Sequence, residues 1–239
     1  MYILKTRSQD ESKEVMPNIQ RRNFLKYMGL GSAFITATTL VASCKKNDDN
    51  NNMPGEGVSL GSGDIAVLNY AYALEQLEAA FYTQVVSSQY AGISPMEVQY
   101  FTDIRNHEIG HREFLKAALS TNAIVGLEVD FSSIDFSKRD SVLGTAKAFE
   151  DLGVSAYNGA GQYFSNTAAG QTYLGLAGKI VSVEARHAAY IRDLISNGTF
   201  AGDDVVNADG LDKSRTPADV FAIAGTYVKT KIDTNTLPK

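Results

Sequence analysis

Two Glu-x-x-His pairs, Glu108–His111 and Glu184–His187, limit what this chain can fold into more than any other feature. They use two of its three histidines. A glutamate at i and a histidine at i+3 leave a helix on the same face, so both side chains reach one ion. A lone glutamate in an apolar setting precedes each pair, Glu75 before the first and Glu150 before the second. One glutamate from each of two helices, with one Glu-x-x-His from each of two others, is the donor set of a four-helix bundle that holds two metal ions in its core.

The surrounding periodicity supplies those helices. Apolar residues recur at 3-4 spacing over roughly Asp64–Ser87, Ser94–Ser120, Asp140–Asn166 and Thr172–Asn197, and the ionisable residues fall in the middle of each apolar stripe. The first stripe reads Leu68, Ala71, Glu75, Glu78, Tyr82, Val85. The second reads Phe101, Ile104, Glu108, His111, Leu115. The third reads Leu143, Ala146, Glu150, Gly153, Tyr157, and the fourth Ala177, Ile180, Glu184, His187, Ile191. Ser94-Pro95-Met96-Glu97 is a capping box with proline at the first helical position, and Gly198 is placed to stop the fourth helix. Thr216-Pro217-Ala218-Asp219 opens a short further helix to about Val228, expected on the outside of the bundle.

The connections set the topology. Short links join the first and second helices and the third and fourth, as in antiparallel hairpins. A long segment from Thr121 to Arg139 joins the two hairpins. The halves also look like a duplication. Ala73-Leu74-Glu75-Gln76-Leu77 followed by Tyr82 aligns with Ala148-Phe149-Glu150-Asp151-Leu152 followed by Tyr157. A repeated helix pair implies an approximate twofold axis, with a two-metal site on it.

Burying unpaired carboxylates costs several kcal/mol each, roughly, so a core holding this many needs cations. No lysine or arginine lies on the four stripes. Two divalent ions balance Glu75, Glu108, Glu150 and Glu184, with His111 and His187 neutral. Carboxylate and imidazole donors suit iron or manganese, and zinc is also compatible. Glu78 faces Gly153 in the repeat, so it is an extra carboxylate: a seventh ligand, a proton relay or a protonated neighbour. Tyr82 and Tyr157 each follow a ligand glutamate by two turns. They are candidates to bond the carboxylates or to supply an electron in catalysis, and core aromatics with a satisfied hydroxyl are the alternative. His107 lies off the stripe, a surface or supporting residue. The glycines of the third helix, Gly153, Gly159 and Gly161, are expected to permit close approach or access.

The stretches LNYAYALEQLEAAFY, AFEDLGVSAYNGAG and VSVEARHAAYIRDL resemble the bacterial ferritin-like domain family, including its desiccation-associated type. The resemblance spans roughly residues 64–230. It implies an all-α, ferritin-like four-helix bundle: two antiparallel hairpins joined by a long crossover, plus a short C-terminal helix. It implies metal ligands at Glu75, Glu108, His111, Glu150, Glu184 and His187, with Glu108 and Glu184 bridging. Bacterioferritins often carry an acidic residue just before the Glu of Glu-x-x-His, where it orients a histidine. Here those positions are His107 and Val183, a departure that puts ferritin-type kinetics in question.

Residues 1–44 read as an export signal. Arg21-Arg22-Asn23-Phe24-Leu25-Lys26 resembles a twin-arginine motif, and an apolar stretch from Tyr27 to Leu40 follows. Met16 is an alternative start. Leu40-Val41-Ala42-Ser43-Cys44 resembles a bacterial lipobox. Cys44, the single cysteine, would be acylated and anchor the chain to a membrane on the exported side, and the fold has no intrachain disulfide. Residues 45–63 read as a flexible polar tether, 64–230 as the bundle and 231–239 as a tail. Acidic residues outnumber basic ones, 27 to 22, with no basic stripe, so nucleic acid is not an expected partner. The leading functional expectation is a membrane-tethered di-iron or di-manganese protein in stress-related redox chemistry with dioxygen, peroxide or Fe(II), of peroxidase, catalase or ferroxidase type. The alternatives are a non-catalytic stress or desiccation bundle and a metal-sequestering module.

Overall fold

The computed structural model describes residues 57–239, so the segment read as an export signal, Cys44 and most of the expected tether lie outside the described residues. Five α-helices follow one another: α1 (Gly63–Ser87), α2 (Pro95–Leu119), α3 (Arg139–Ala160), α4 (Ala168–Ile195) and α5 (Pro217–Ala224). Among the described residues there is no strand, only isolated bridges. No helix among them is long and apolar enough to cross a membrane. The architecture is the expected all-α bundle with a short C-terminal helix.

α1 packs chiefly on α2 and α3 chiefly on α4, with α1 also against α3. α1 is the central element. Nearly its whole length is buried, from Ala66 to Val85, because the crossover covers the side that the other helices leave open. Two polar residues of α1, two turns apart, pin that crossover. Asn69 donates to the carbonyls of Leu60 and Asn122 and accepts from the amide of Ile124. Gln76 accepts from the amide of Leu127 at 2.8 Å. Phe131 and Phe136 of the crossover then close over Phe81, and Phe131 also reaches Phe149.

The helix ends follow local chemistry. At the start of α2 the Ser94 hydroxyl accepts from the Glu97 amide while Glu97 accepts from the Ser94 amide, the reciprocal cap expected there. Arg139, the first residue of α3, donates to the same Glu97 at 2.9 Å, so one carboxylate fastens the starts of both helices. α3 ends at Ala160 and a 3-10 turn follows, Gly161–Tyr163, short of the Asn166 read from the sequence. Gly159 and Gly161 weaken the helix there. α4 begins at Ala168 rather than Thr172, because the Thr167 hydroxyl accepts from the Gly170 amide and caps it.

Two segments placed outside the bundle by the sequence reading pack onto it. Val58, in the expected tether, bridges Ile232, in the expected tail. Leu60 is fully buried, and Ile232 and Leu237 are buried as well. Apolar side chains on both segments drive this, since each removes its own surface from water by covering the other.

Candidate metal centre

Midway along the bundle, five glutamates on four helices face one another. Glu75 and Glu78 come from α1, Glu108 from α2, Glu150 from α3 and Glu184 from α4. Glu78 is 3 % exposed and the other four are 0 % exposed. His111 and His187 complete the cluster.

The side chains form two overlapping groups, each able to hold a metal ion. Glu75, Glu108, His111 and Glu184 form one; Glu108, Glu150, Glu184 and His187 form the other. In each group one donor atom from every residue lies within 4.8 Å of the others. Glu108 and Glu184 belong to both, which places them between the two positions. All six of these residues were singled out in the sequence. Glu78 falls in neither group.

The arrangement repeats about a twofold axis. His111 Nδ1 lies 2.8 Å from Glu184 and 3.4 Å from Glu75. His187 Nδ1 lies 2.9 Å from Glu108 and 3.5 Å from Glu150. The tyrosines cross over reciprocally: Tyr82 on α1 donates to Glu150 on α3 at 2.5 Å, and Tyr157 on α3 donates to Glu75 on α1. Each hydroxyl thus fixes the lone glutamate of the opposite half.

Despite these short separations, Nδ1 of both histidines, both oxygens of Glu108 and of Glu184, and one oxygen each of Glu75, Glu78 and Glu150 meet no partner in hydrogen-bond geometry. Buried polar atoms are rarely left so. Their lone pairs converge on shared points instead of on one another. Hard carboxylate oxygens with one imidazole nitrogen per group, and four ligand carboxylates to offset two divalent charges, fit a pair of first-row ions.

The electrostatics show how crowded the cluster is. Burial raises the Glu78 carboxyl well above the ordinary range, and Glu184, Glu108, Glu150 and Glu75 push it further. Glu108 is raised by burial and by Glu184. Burial lifts Glu150 to about 7 even with His187 and Tyr82 favouring its charge. Burial acts on Glu184 in the same sense, but the adjacent His111 and His187 imidazoles outweigh it and hold the group at about 2. Burial disfavours a charged His111, yet Glu108, Glu184 and Glu75 together push it up to about 12. Proton-bearing imidazoles must give up those protons to ligate, so binding of a metal here would release protons.

Glycines in α3 make room. A Cβ at Gly153 would sit 3.0 Å from the Glu78 carboxylate, so the glycine opposite Glu78 leaves space for it. At Gly159 a Cβ would overlap the Arg215 carbonyl, so this position admits the loop that follows α4.

His107 has a larger part than its off-stripe position suggested. Its Nδ1 lies 2.9 Å from His187 Nε2, on the side of that ring away from the carboxylates. The signal was present in the sequence: His107 immediately precedes Glu108, at the position where the bacterioferritins place their orienting acid.

An apolar crevice lies one helical turn from the cluster, against Ala71, Leu115, Tyr157 and Ile180. Its free space is about 20 Å³, room for one small molecule.

Residues 63–197 match the family model described as the ferritin-like domain. No curated protein matches the chain.

Proposed function

The chain belongs to the ferritin-like domain family, and from that premise we propose that it is an exported, lipid-anchored protein with a two-metal redox centre that serves in stress defence. The ions would be iron or manganese, held by Glu75, Glu108, His111, Glu150, Glu184 and His187, with Glu108 and Glu184 common to both groups. The observation that carries the reading is the pair of overlapping four-residue groups whose converging atoms have no hydrogen-bond partner. Export and anchoring rest on the twin-arginine and lipobox-like segments ending at Cys44.

When bound, such ions would cycle between two oxidation states and exchange electrons with a small oxidant. The protein's own residues supply the rest. Tyr82 and Tyr157 orient Glu150 and Glu75, and their phenols are oxidisable groups bonded directly to those carboxylates. Reduction of one peroxide to two waters consumes two electrons and two protons. Glu78, buried beside both groups and belonging to neither, would hold one of those protons. The apolar crevice beside Tyr157 suits the approach of uncharged dioxygen.

Elemental analysis of the mature protein reconstituted with Fe(II) or Mn(II) tests the reading, with two ions per chain expected. Far fewer would end it. Two bound ions with no consumption of Fe(II), dioxygen or peroxide would leave a structural or sequestering role. That second reading draws support from His107 and Val183, which stand where bacterioferritins often carry acids.

A further inference from the structure

We infer that the two metal positions are inequivalent, because His107 holds His187 in place while His111 has no such support; this rests on the two-metal reading above. The His107 and His187 ring planes are inclined by only 6°, with centroids 5.2 Å apart. With Nδ1 of one ring 2.9 Å from Nε2 of the other, that separation is the nitrogen–nitrogen distance extended by the two ring radii. The imidazoles therefore lie end to end in a common plane. An in-plane lone pair then points along the partner's N–H bond, the geometry that favours a strong hydrogen bond.

The tautomers follow. His187 turns Nδ1 towards Glu108, Glu150 and Glu184. With that lone pair on an ion, the ring proton sits on Nε2 and is donated to His107 Nδ1, and His107 carries its own proton on the remaining nitrogen. An acceptor behind a ligand imidazole fixes its plane and raises its basicity.

The other half lacks this. The position equivalent to His107, immediately before the second bridging glutamate, is Val183, which has no acceptor. Among the described residues no protein hydrogen bond backs His111 Nε2. The His111 side chain is also the more open, 14 % exposed against 6 % for His187. The group of Glu108, Glu150, Glu184 and His187 thus takes up the first ion, and the group of Glu75, Glu108, His111 and Glu184 the second. His107 is a positioning residue that acts through His187.

Titration of metal-free protein with Co(II), followed by visible absorption, tests this without turnover. Two steps are expected, with dissociation constants about 10–100-fold apart. His107→Ala should weaken the tighter step and bring the two together. His107→Asn, whose side-chain oxygen can stand where Nδ1 stood, should restore the separation; a merely structural role predicts no such rescue. Val183→His should tighten the weaker step, and because it adds support instead of removing it, it remains informative if His107→Ala folds poorly. Two equal constants in the wild type, or a separation that His107→Ala leaves unchanged, would overturn the inference while the two-metal reading stands. Fewer than two ions per chain would overturn both.

Discussion

Replacing Glu150 with glutamine should stabilise the metal-free protein at neutral pH while costing it one metal ion. Burial lifts the folded-state carboxyl of Glu150 from 4.5 to about 7. Between those values the folded chain keeps a proton that the unfolded chain has released. Stability therefore falls as pH rises from 4.5 to 7 and is level with respect to this group above that. At 1.36 kcal/mol per pH unit the loss is about 3 kcal/mol. Glutamine keeps the shape and still accepts from Tyr82, but has no charge to desolvate. For a domain of this size the difference is worth about 6–12 °C in melting temperature. Calorimetry of chelator-treated protein should show the variant melting above wild type at pH 8, with the gap closing near pH 4.5. Metal content should drop from two ions to about one, because the group of Glu75, Glu108, His111 and Glu184 does not use Glu150. A metal-free variant that melts below wild type at pH 8, or that keeps both ions, would refute the reasoning.

Glu108→Gln or Glu184→Gln should reduce metal content towards zero, since each serves both groups; elemental analysis beside Glu75→Gln, which should retain about one ion, makes the comparison. Gly159→Ala should destabilise by about 1–3 kcal/mol or more, because its Cβ would overlap the Arg215 carbonyl, and urea denaturation should show a lowered midpoint. Glu97 is disfavoured as an anion by its burial, but Ser94 and Arg139 outweigh this and hold it at about 2. Its contribution is therefore present above pH 4.5 and lost as pH falls towards 2. Glu97→Gln should flatten the acid limb of the stability curve across that window.

Much of the centre was legible in the sequence because helical geometry is local. A Glu-x-x-His on an apolar stripe fixes where its donors point before anything packs, and the duplicated half fixes how many such donors there are. The crossing of Tyr82 and Tyr157 to the opposite halves was less legible. The repeat placed each tyrosine two turns from a glutamate of its own helix, yet each bonds the glutamate of the other. Likewise, Thr167 caps α4 without the following glutamate that makes a capping box conspicuous. The packing of residues 58–60 on 232–237 had no local signal, because it joins the two ends of the described chain.

The sequence by itself determined the all-α architecture, the six residues that come together in the two groups and the twofold relation between halves. These follow from periodicity and spacing along single helices. Only the tertiary structure decided that Glu78 stands outside both groups and that His107 lies in plane behind His187. Each of these depends on the distance between side chains on different helices. That distance is set by how closely the helices approach, at positions such as Gly153, and the spacing of residues within one helix does not contain it.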